Sequence, residues 1–302
     1  MKEEKAKKPN LPLLEASEAV LEELLSAGVH FGHKTQRWHP SMREYIYTSR
    51  DGIHIIDLIK TIEMLNQAIE AAYEYATKGE ILIVGTKHQV RELVQNAAIE
   101  SKSHFVNNRW AGGLLTNYLV TRKSIKKLND YIKAFREGIE NRTKKELVKM
   151  KEELGRLDAL YGGVKMFNKR PAAVIVIDPK KSRIAVKEAN KMNIPVIALT
   201  DTNASTEGIT HIIPANDDAI SSVEFILKKL VEAIKLGNKG VGPEFIPVDY
   251  AEVDDSIQNM AKKLEEKKMA SKSGVDSSSK GGPRVIRVSR EQAKKFVKQN
   301  KK

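Results

Sequence analysis

The sequence predicts an α/β protein: an open, mostly parallel flavodoxin-like sheet with flanking helices, plus a projecting antiparallel coiled-coil hairpin and flexible termini. Three observations lead there. Strand candidates such as Ile81–Val84 and Ala172–Ile177 are bare apolar runs rather than alternating ones, as expected of strands covered on both faces. Between Ile81 and Val106 a strand, a helical pattern and a strand follow in order, and the same grammar resumes at Ala172. In the charged interruption between them, two apolar seams repeat at spacings of 3, 4, 3 and 4.

Taken in order, residues 1–12 read as a basic flexible arm and 13–240 as the α/β body. Ser17 can cap a short helix carrying Val20, Leu21, Leu24 and Leu25, with Gly28 as its C′ residue. Tyr45–Tyr47 and Ile53–Ile56 are short strand candidates joined by a turn at Asp51-Gly52. Asp57 or Thr61 caps the next helix, whose apolar face is Ile62, Leu65, Ile69, Tyr73 and Ala76. Strand Ile81–Val84 leads through Gly85-Thr-Lys87 into a helix carrying Val90, Leu93, Val94, Ala97 and Ala98, then into the run His104–Val106.

The interruption at 119–161 holds the two seams, Ile125, Leu128, Ile132, Phe135, Ile139 and Leu147, Met150, Leu154, Leu157, Tyr161. Thr143 and Glu146 fit a capping box opening the second arm. Two such seams separated by a turn pair best as an antiparallel hairpin, and its net charge of +6 over 121–156 suits a solvated spike. Beyond it, Ala172–Ile177 ends at Asp178, and a helix with Ile184, Ala185, Ala189 and Met192 covers it. Pro195–Leu199 and His211–Ile213 complete a sheet of about five strands. Asn216 is the expected cap of a last large helix, with Asp217 and Asp218 in its first turn and Ile220, Val223, Leu227, Leu230, Val231 and Ile234 on its apolar face. From 241 to 302 the packing signal fades. Ala251–Met269 has weak helical character without a convincing stripe, Ala270–Pro283 reads as linker, and the whole tail is expected to be extended and partly disordered.

Composition narrows the chemistry. Lys and Arg number 52 against 39 Asp and Glu, a net +13 that favours a polyanionic partner. Cysteine is absent, which excludes disulfides, thiolate catalysis and Cys-based zinc sites. No run approaches the roughly 18 apolar residues of a membrane span, and the N-terminus resembles neither a secretory signal nor a transit peptide. A soluble, cytoplasmic setting without a membrane partner is the expectation.

Each catalytic reading lacks a part. A dinucleotide site wants Gly-x-Gly-x-x-Gly, and the turn at Gly85 offers one glycine. Lys87, following a strand, could touch a phosphate and reads equally well as a solvated loop lysine. Asp178 and Asp201 end strands, where an α/β enzyme places its groups, but turn formation explains them as well. A small-molecule or nucleotide-binding enzyme with its ligand at the strand C-terminal ends stands as the alternative. His30, His33 and His39 fall within ten positions and give a weak metal reading, without an obvious third ligand type nearby. No cofactor is otherwise expected.

Nucleic-acid binding draws on several regions at once. Lys34, Arg37, Trp38, Arg43 and Arg50 form a basic cluster with an aromatic, and Asn107, Asn108, Arg109 and Trp110 form another that leads into Gly112-Gly113. Arg122, Lys123, Lys126 and Lys127 open the hairpin. Arg284, Arg287, Arg290, Lys294 and Lys295 belong to a final segment, 284–302, whose net charge is +7. Dispersed guanidinium and ammonium groups suit backbone contacts on folded RNA, which is read mainly by shape. A Lys-rich face is usually just solvated, and each tryptophan alone is more readily a core residue than a stacking platform. The combination favours RNA.

The motifs Leu24-Leu-Ser-Ala-Gly-Val-His-Phe-Gly-His33, Asn108-Arg-Trp-Ala-Gly-Gly-Leu-Leu-Thr-Asn117, Asp201-Thr-Asn203 and Ile213-Pro-Ala-Asn-Asp-Asp-Ala219 occur in order over residues 17–237. In these the chain resembles the bacterial-type small-subunit ribosomal protein S-two family. The resemblance implies a flavodoxin-like body with a projecting coiled-coil hairpin and no enzymatic activity. It also implies a structural role in the small ribosomal subunit, with small-subunit rRNA and neighbouring ribosomal proteins as partners and support for docking the large mRNA-binding ribosomal protein. Self-association is not expected. The loops at Asn168–Ala172 and Ala204–Gly208 depart from the family's pattern, and the tail beyond about 250 is outside the resemblance.

Overall fold

A computed structural model describes residues 10–138 and 142–273. Residues 1–9 of the N-terminal arm, the turn at 139–141 and the basic segment with Arg284, Arg287, Arg290, Lys294 and Lys295 lie outside the described residues.

The chain opens with α1 (Glu18–Ser26), closed by Gly28 N–H donating to Leu25 O and Val29 N–H donating to Leu24 O, bonds that satisfy the last carbonyls of a helix. Three short strands follow: β1 (Phe31–Lys34), β2 (Ile46–Arg50) and β3 (Ile53–Ile56). They form an antiparallel sheet in the order β1-β3-β2, with the β2–β3 turn at Asp51-Gly52 as the sequence predicts. The sequence does not announce β1. Its residues, Phe31–Lys34, include a glycine, a histidine and a lysine and show no apolar alternation.

Asp57 caps α2 (Leu58–Lys78) by accepting from the Ile59 and Lys60 N–H groups, while Thr61 is buried and donates to Pro214 O. Next come β4 (Ile81–Val84), α3 (Arg91–Glu100), β5 (His104–Val106), α4 (Tyr118–Glu137), α5 (Lys144–Tyr161), β6 (Ala173–Ile177), α6 (Arg183–Lys191), β7 (Val196–Thr200), β8 (His211–Pro214), α7 (Ile220–Asn238) and α8 (Tyr250–Ser273). β4 to β8 make one parallel sheet in the order β5-β4-β6-β7-β8.

The bare apolar runs are explained by this layering. Ile81, Ile83, Phe105, Ile175, Ile197 and Ile213 point to one face, where α2, α3 and α7 cover them. Leu82, Val84, Val106, Val174, Val176 and Val196 point to the other, beneath α6, Trp110, Leu114 and Ile125. Each such side chain contributes about 1.5–3 kcal/mol by leaving water, so the two faces together fix the register. Gly163, just after α5, marks a close approach: a Cβ there would lie 2.2 Å from Phe105 O.

Three expectations need correction. α7 starts at Ile220, four residues after Asn216, because the Asn216 side chain instead accepts from the Asp218 and Ala219 N–H groups in a turn ahead of the helix. Asp217 and Asp218 therefore stand outside its first turn, and Ile220 is exposed. On α6 the buried face is Ala185, Val186, Glu188 and Ala189, and Ile184 is exposed. The tail is not extended throughout, since α8 packs on α4 and α5. Its Val253 and Ile257 join Leu128, Phe135, Leu147, Met150, Leu154 and Leu157 in one buried cluster. Two apolar residues four apart suffice to seat one helix face, too short a signal to stand out among the charges.

Candidate nucleic-acid interface

Because β4 to β8 are all parallel, the loops that leave their C-terminal ends gather along one edge. That edge receives Lys87, the Asn107–Asn117 loop, Asp178, Asp201-Thr202 and Asn216–Asp218. The N-terminal sheet and its flanks are tied to the same edge by hydrogen bonds from backbone amides that no sequence pattern marks. His33 N–H donates to Thr202 Oγ1 at 2.9 Å, His39 N–H donates to Thr202 O at 2.7 Å, and Asn216 N–H donates to Val29 O at 3.1 Å.

On that sheet and the turns beside it, Lys34, Arg37, Arg43 and Arg50 are exposed. Among the described residues Lys34, Arg37 and Arg43 form no ion pair, and Arg50 makes only a loose approach of 3.9 Å to its neighbour Asp51. Trp38 is 38% exposed, with its ring 5.6 Å from that of His54. Trp38 thus differs from the core expectation. Its ring can take a stacked base while the surrounding cations take phosphate oxygens.

The Asn107–Asn117 loop is a built structure centred on Glu188. This carboxylate accepts from Trp110 Nε1–H (3.1 Å), from the backbone N–H groups of Gly113 (2.7 Å), Leu115 (3.1 Å) and Thr116 (3.2 Å), and from Thr116 Oγ1 (3.1 Å). Gly113 sits at φ +88°, a left-handed conformation that a side chain rarely adopts and that aims its N–H at the carboxylate. Burial alone would raise the Glu188 pKa, but the bonds from Gly113, Trp110, Leu115 and Thr116 outweigh it and hold the group below its ordinary value. Trp110 is accordingly a buried anchor. Asn107 is also internally engaged, donating to Arg91 O and Gln95 Oε1. Arg109 is exposed and Asn108 half-buried, so within this cluster Arg109 is the residue most open to solvent.

Along α4, Arg122, Lys123 and Lys126 are without an ion pair among the described residues, and Arg122, Lys123 and Lys126 all face solvent. Lys127 instead pairs with Glu153 and lies 5.4 Å from the Tyr131 ring centre. Lys87 is likewise committed. Its Nζ bonds Asp217 Oδ1 at 2.9 Å and also Asp218 Oδ1. Burial would lower its pKa, and those carboxylates more than reverse the effect.

The histidine cluster also resolves differently from its sequence spacing. His39 accepts from Ser41 N–H through Nδ1, and the His30 ring lies against Phe31 at 3.9 Å. Of the three, only His33 meets acids: Nδ1 is 3.0 Å from Asp201 Oδ2, and Nε2 is 3.4 Å from Asp218 Oδ2. The bond to Asp201 raises the His33 pKa against the opposing effect of burial. Burial, reinforced by the Asp201 and Asp178 carboxylates, pushes Asp217 up to about 7.

Sequence reasoning missed Glu188 and the anchoring role of Thr202, although that threonine lies in the Asp201-Thr-Asn203 motif. A lone glutamate between Ala185 and Ala189 on the covered face of α6 is the one signal available for the first. Over residues 24–237, more than two thirds of the chain, the sequence matches the family model of ribosomal protein S2.

Proposed function

The chain belongs to the ribosomal protein S2 family, a structural and not an enzymatic family of the small ribosomal subunit, and from that premise we propose how it serves there. It binds small-subunit rRNA through the Lys34–Arg50 surface, Arg109 and the exposed Arg122, Lys123 and Lys126, and it holds neighbouring ribosomal proteins in the cytoplasmic ribosome. The pair α4–α5 projects as a coiled-coil hairpin from a body spanning 13–240. Together they support docking of the large mRNA-binding ribosomal protein, and the basic segment 284–302 adds further phosphate contacts.

The observation that supports this most directly is the small antiparallel sheet. With the turns beside it, it carries Lys34, Arg37 and Arg43, which form no ion pair among the described residues, and a partly exposed tryptophan, and it is bonded to the edge where the Arg109 loop emerges. Phosphate contacts set position and strength, and a stacked base adds local preference. The alternative of an enzyme at the strand ends loses its phosphate-binding lysine, since Lys87 faces Asp217 and Asp218.

The test is a triple charge reversal, Lys34→Glu, Arg37→Glu and Arg43→Glu. Cofractionation with small subunits in a sucrose gradient should fall. In rRNA binding titrations the log–log salt slope should shrink by about 0.7–0.9 for each phosphate no longer neutralised. An unaltered slope in a folded variant would overturn the assignment of this surface.

A further inference from the structure

We infer that His33, Asp201, Asp217 and Asp218 form a zinc site that fastens the N-terminal sheet to the α/β body. One donor atom from each of the four lies within 4.8 Å of the others. They come from three separate places: His33 from β1, Asp201 from the end of β7, and Asp217 and Asp218 from the loop after β8. A cation held by all four would join these elements more tightly than the hydrogen bonds and His33 ion pairs that already link them.

The second observation is a buried anionic oxygen. The Asp217 side chain is 1% exposed, and although Oδ1 meets Lys87, its Oδ2 has no hydrogen-bond partner among the described residues. A buried polar atom of this kind is costly unless something compensates it. Three carboxylates here face one ammonium and one imidazole, so the cluster favours an added positive charge.

The donor set narrows the choice to ions that accept imidazole and carboxylate together, zinc among them. Magnesium and calcium prefer all-oxygen shells, and soft ions want sulfur, whereas one imidazole with carboxylates suits zinc. Zinc takes such ligands at about 2.0–2.2 Å in a tetrahedron, which side-chain rotations over a spread of this size can supply. The His33 ring meets carboxylates at both nitrogens, so either nitrogen lies beside oxygens that can share an ion with it.

The experiment uses the full chain, stripped with a chelator, and zinc chloride alone as the titrant in calorimetry. One equivalent should bind, and His33→Ala and Asp217→Asn should each weaken binding at least about tenfold, the scale of losing one ligand or its support. Lys87→Met removes the cation that competes for Asp217 and Asp218 while leaving all four ligands in place, so it should bind zinc as tightly as the parent or more so. Cobalt substitution of the unmutated chain gives an independent readout, a visible ligand-field spectrum abolished by excess zinc. No saturable zinc binding, equal affinity in the His33 and Asp217 variants and the parent, or binding of manganese or magnesium in preference to zinc would each overturn the assignment. So would a loss in Lys87→Met equal to that in His33→Ala, which would mark the cluster as an ion-pair network alone.

Discussion

The Glu188 carboxylate accepts the Gly113 N–H at 2.7 Å across 75 residues of sequence, and this one bond shows how the Asn107–Asn117 loop is held. Five donors converge on a single side chain, so the loop keeps its shape through one acidic group on the neighbouring helix. Glu188→Gln keeps the volume but turns an amide NH2 toward groups that are themselves donors. Stability should drop by about 2–3 kcal/mol, since hydrogen bonds to charged groups are worth more than neutral ones. Urea denaturation followed by tryptophan emission reads it directly.

The same residue sets a pH dependence. Its native pKa lies below the ordinary 4.5, so its contribution is complete above 4.5 and falls away as the pH drops through the lowered native value. The stability gap between the parent and Glu188→Gln should stay constant well above pH 4.5 and close progressively as the pH falls below it. A gap that widened on acidification would contradict the charged, multiply bonded state.

The two tryptophans should respond in opposite ways. Trp38→Ala removes a 38% exposed ring, so it should change stability by less than about 1 kcal/mol while weakening rRNA binding by about 1–3 kcal/mol, the scale of one stacked base. Trp110→Phe removes the Nε1–H bond to Glu188 and should cost about 1–2 kcal/mol of stability. Thermal unfolding and a filter-binding titration on both variants separate the roles.

Much of the fold is legible in the sequence because its signals are local and repeated. Runs such as Ala173–Ile177 need no tertiary information to read as buried strands, and the Thr143–Glu146 capping box forms as its spacing implies. The site is harder. Lys87 reads as a phosphate contact in sequence, yet the loop after β8 brings Asp217 and Asp218 against it from 130 residues away. Cations such as Arg37 and Arg122 stay exposed, as their surroundings in sequence suggest, and among the described residues no acid pairs with them. Glu188 and Thr202 are invisible because their partners lie 72–78 and 169 residues away, a distance that neither periodicity nor motif spacing reports.

α8 offers a test of tertiary packing against a weak local signal. Ile257→Ala should destabilise the α4–α5–α8 cluster by about 2–5 kcal/mol at full burial, with hydrogen exchange quickening in α4 and α5 more than in β6.

Gly163→Ala should be poorly tolerated for a steric reason. The added methyl would meet the Phe105 carbonyl at 2.2 Å, so the segment after α5 must shift away from β5. An expected loss of about 1–3 kcal/mol, measured by chemical denaturation, follows from overpacking a close approach.

Thr202 also has a consequence in time. Its hydroxyl and carbonyl receive the His33 and His39 amides, and the first of these bonds spans 169 residues. A ribosome adding about 5–20 residues per second leaves the N-terminal sheet waiting roughly 10–30 s for its anchor to be made. The surface translated first is thus among the last to set. A newborn chain exposes those cations on an unanchored hairpin throughout that interval, and premature capture by stray RNA is a hazard to be met during synthesis rather than afterwards.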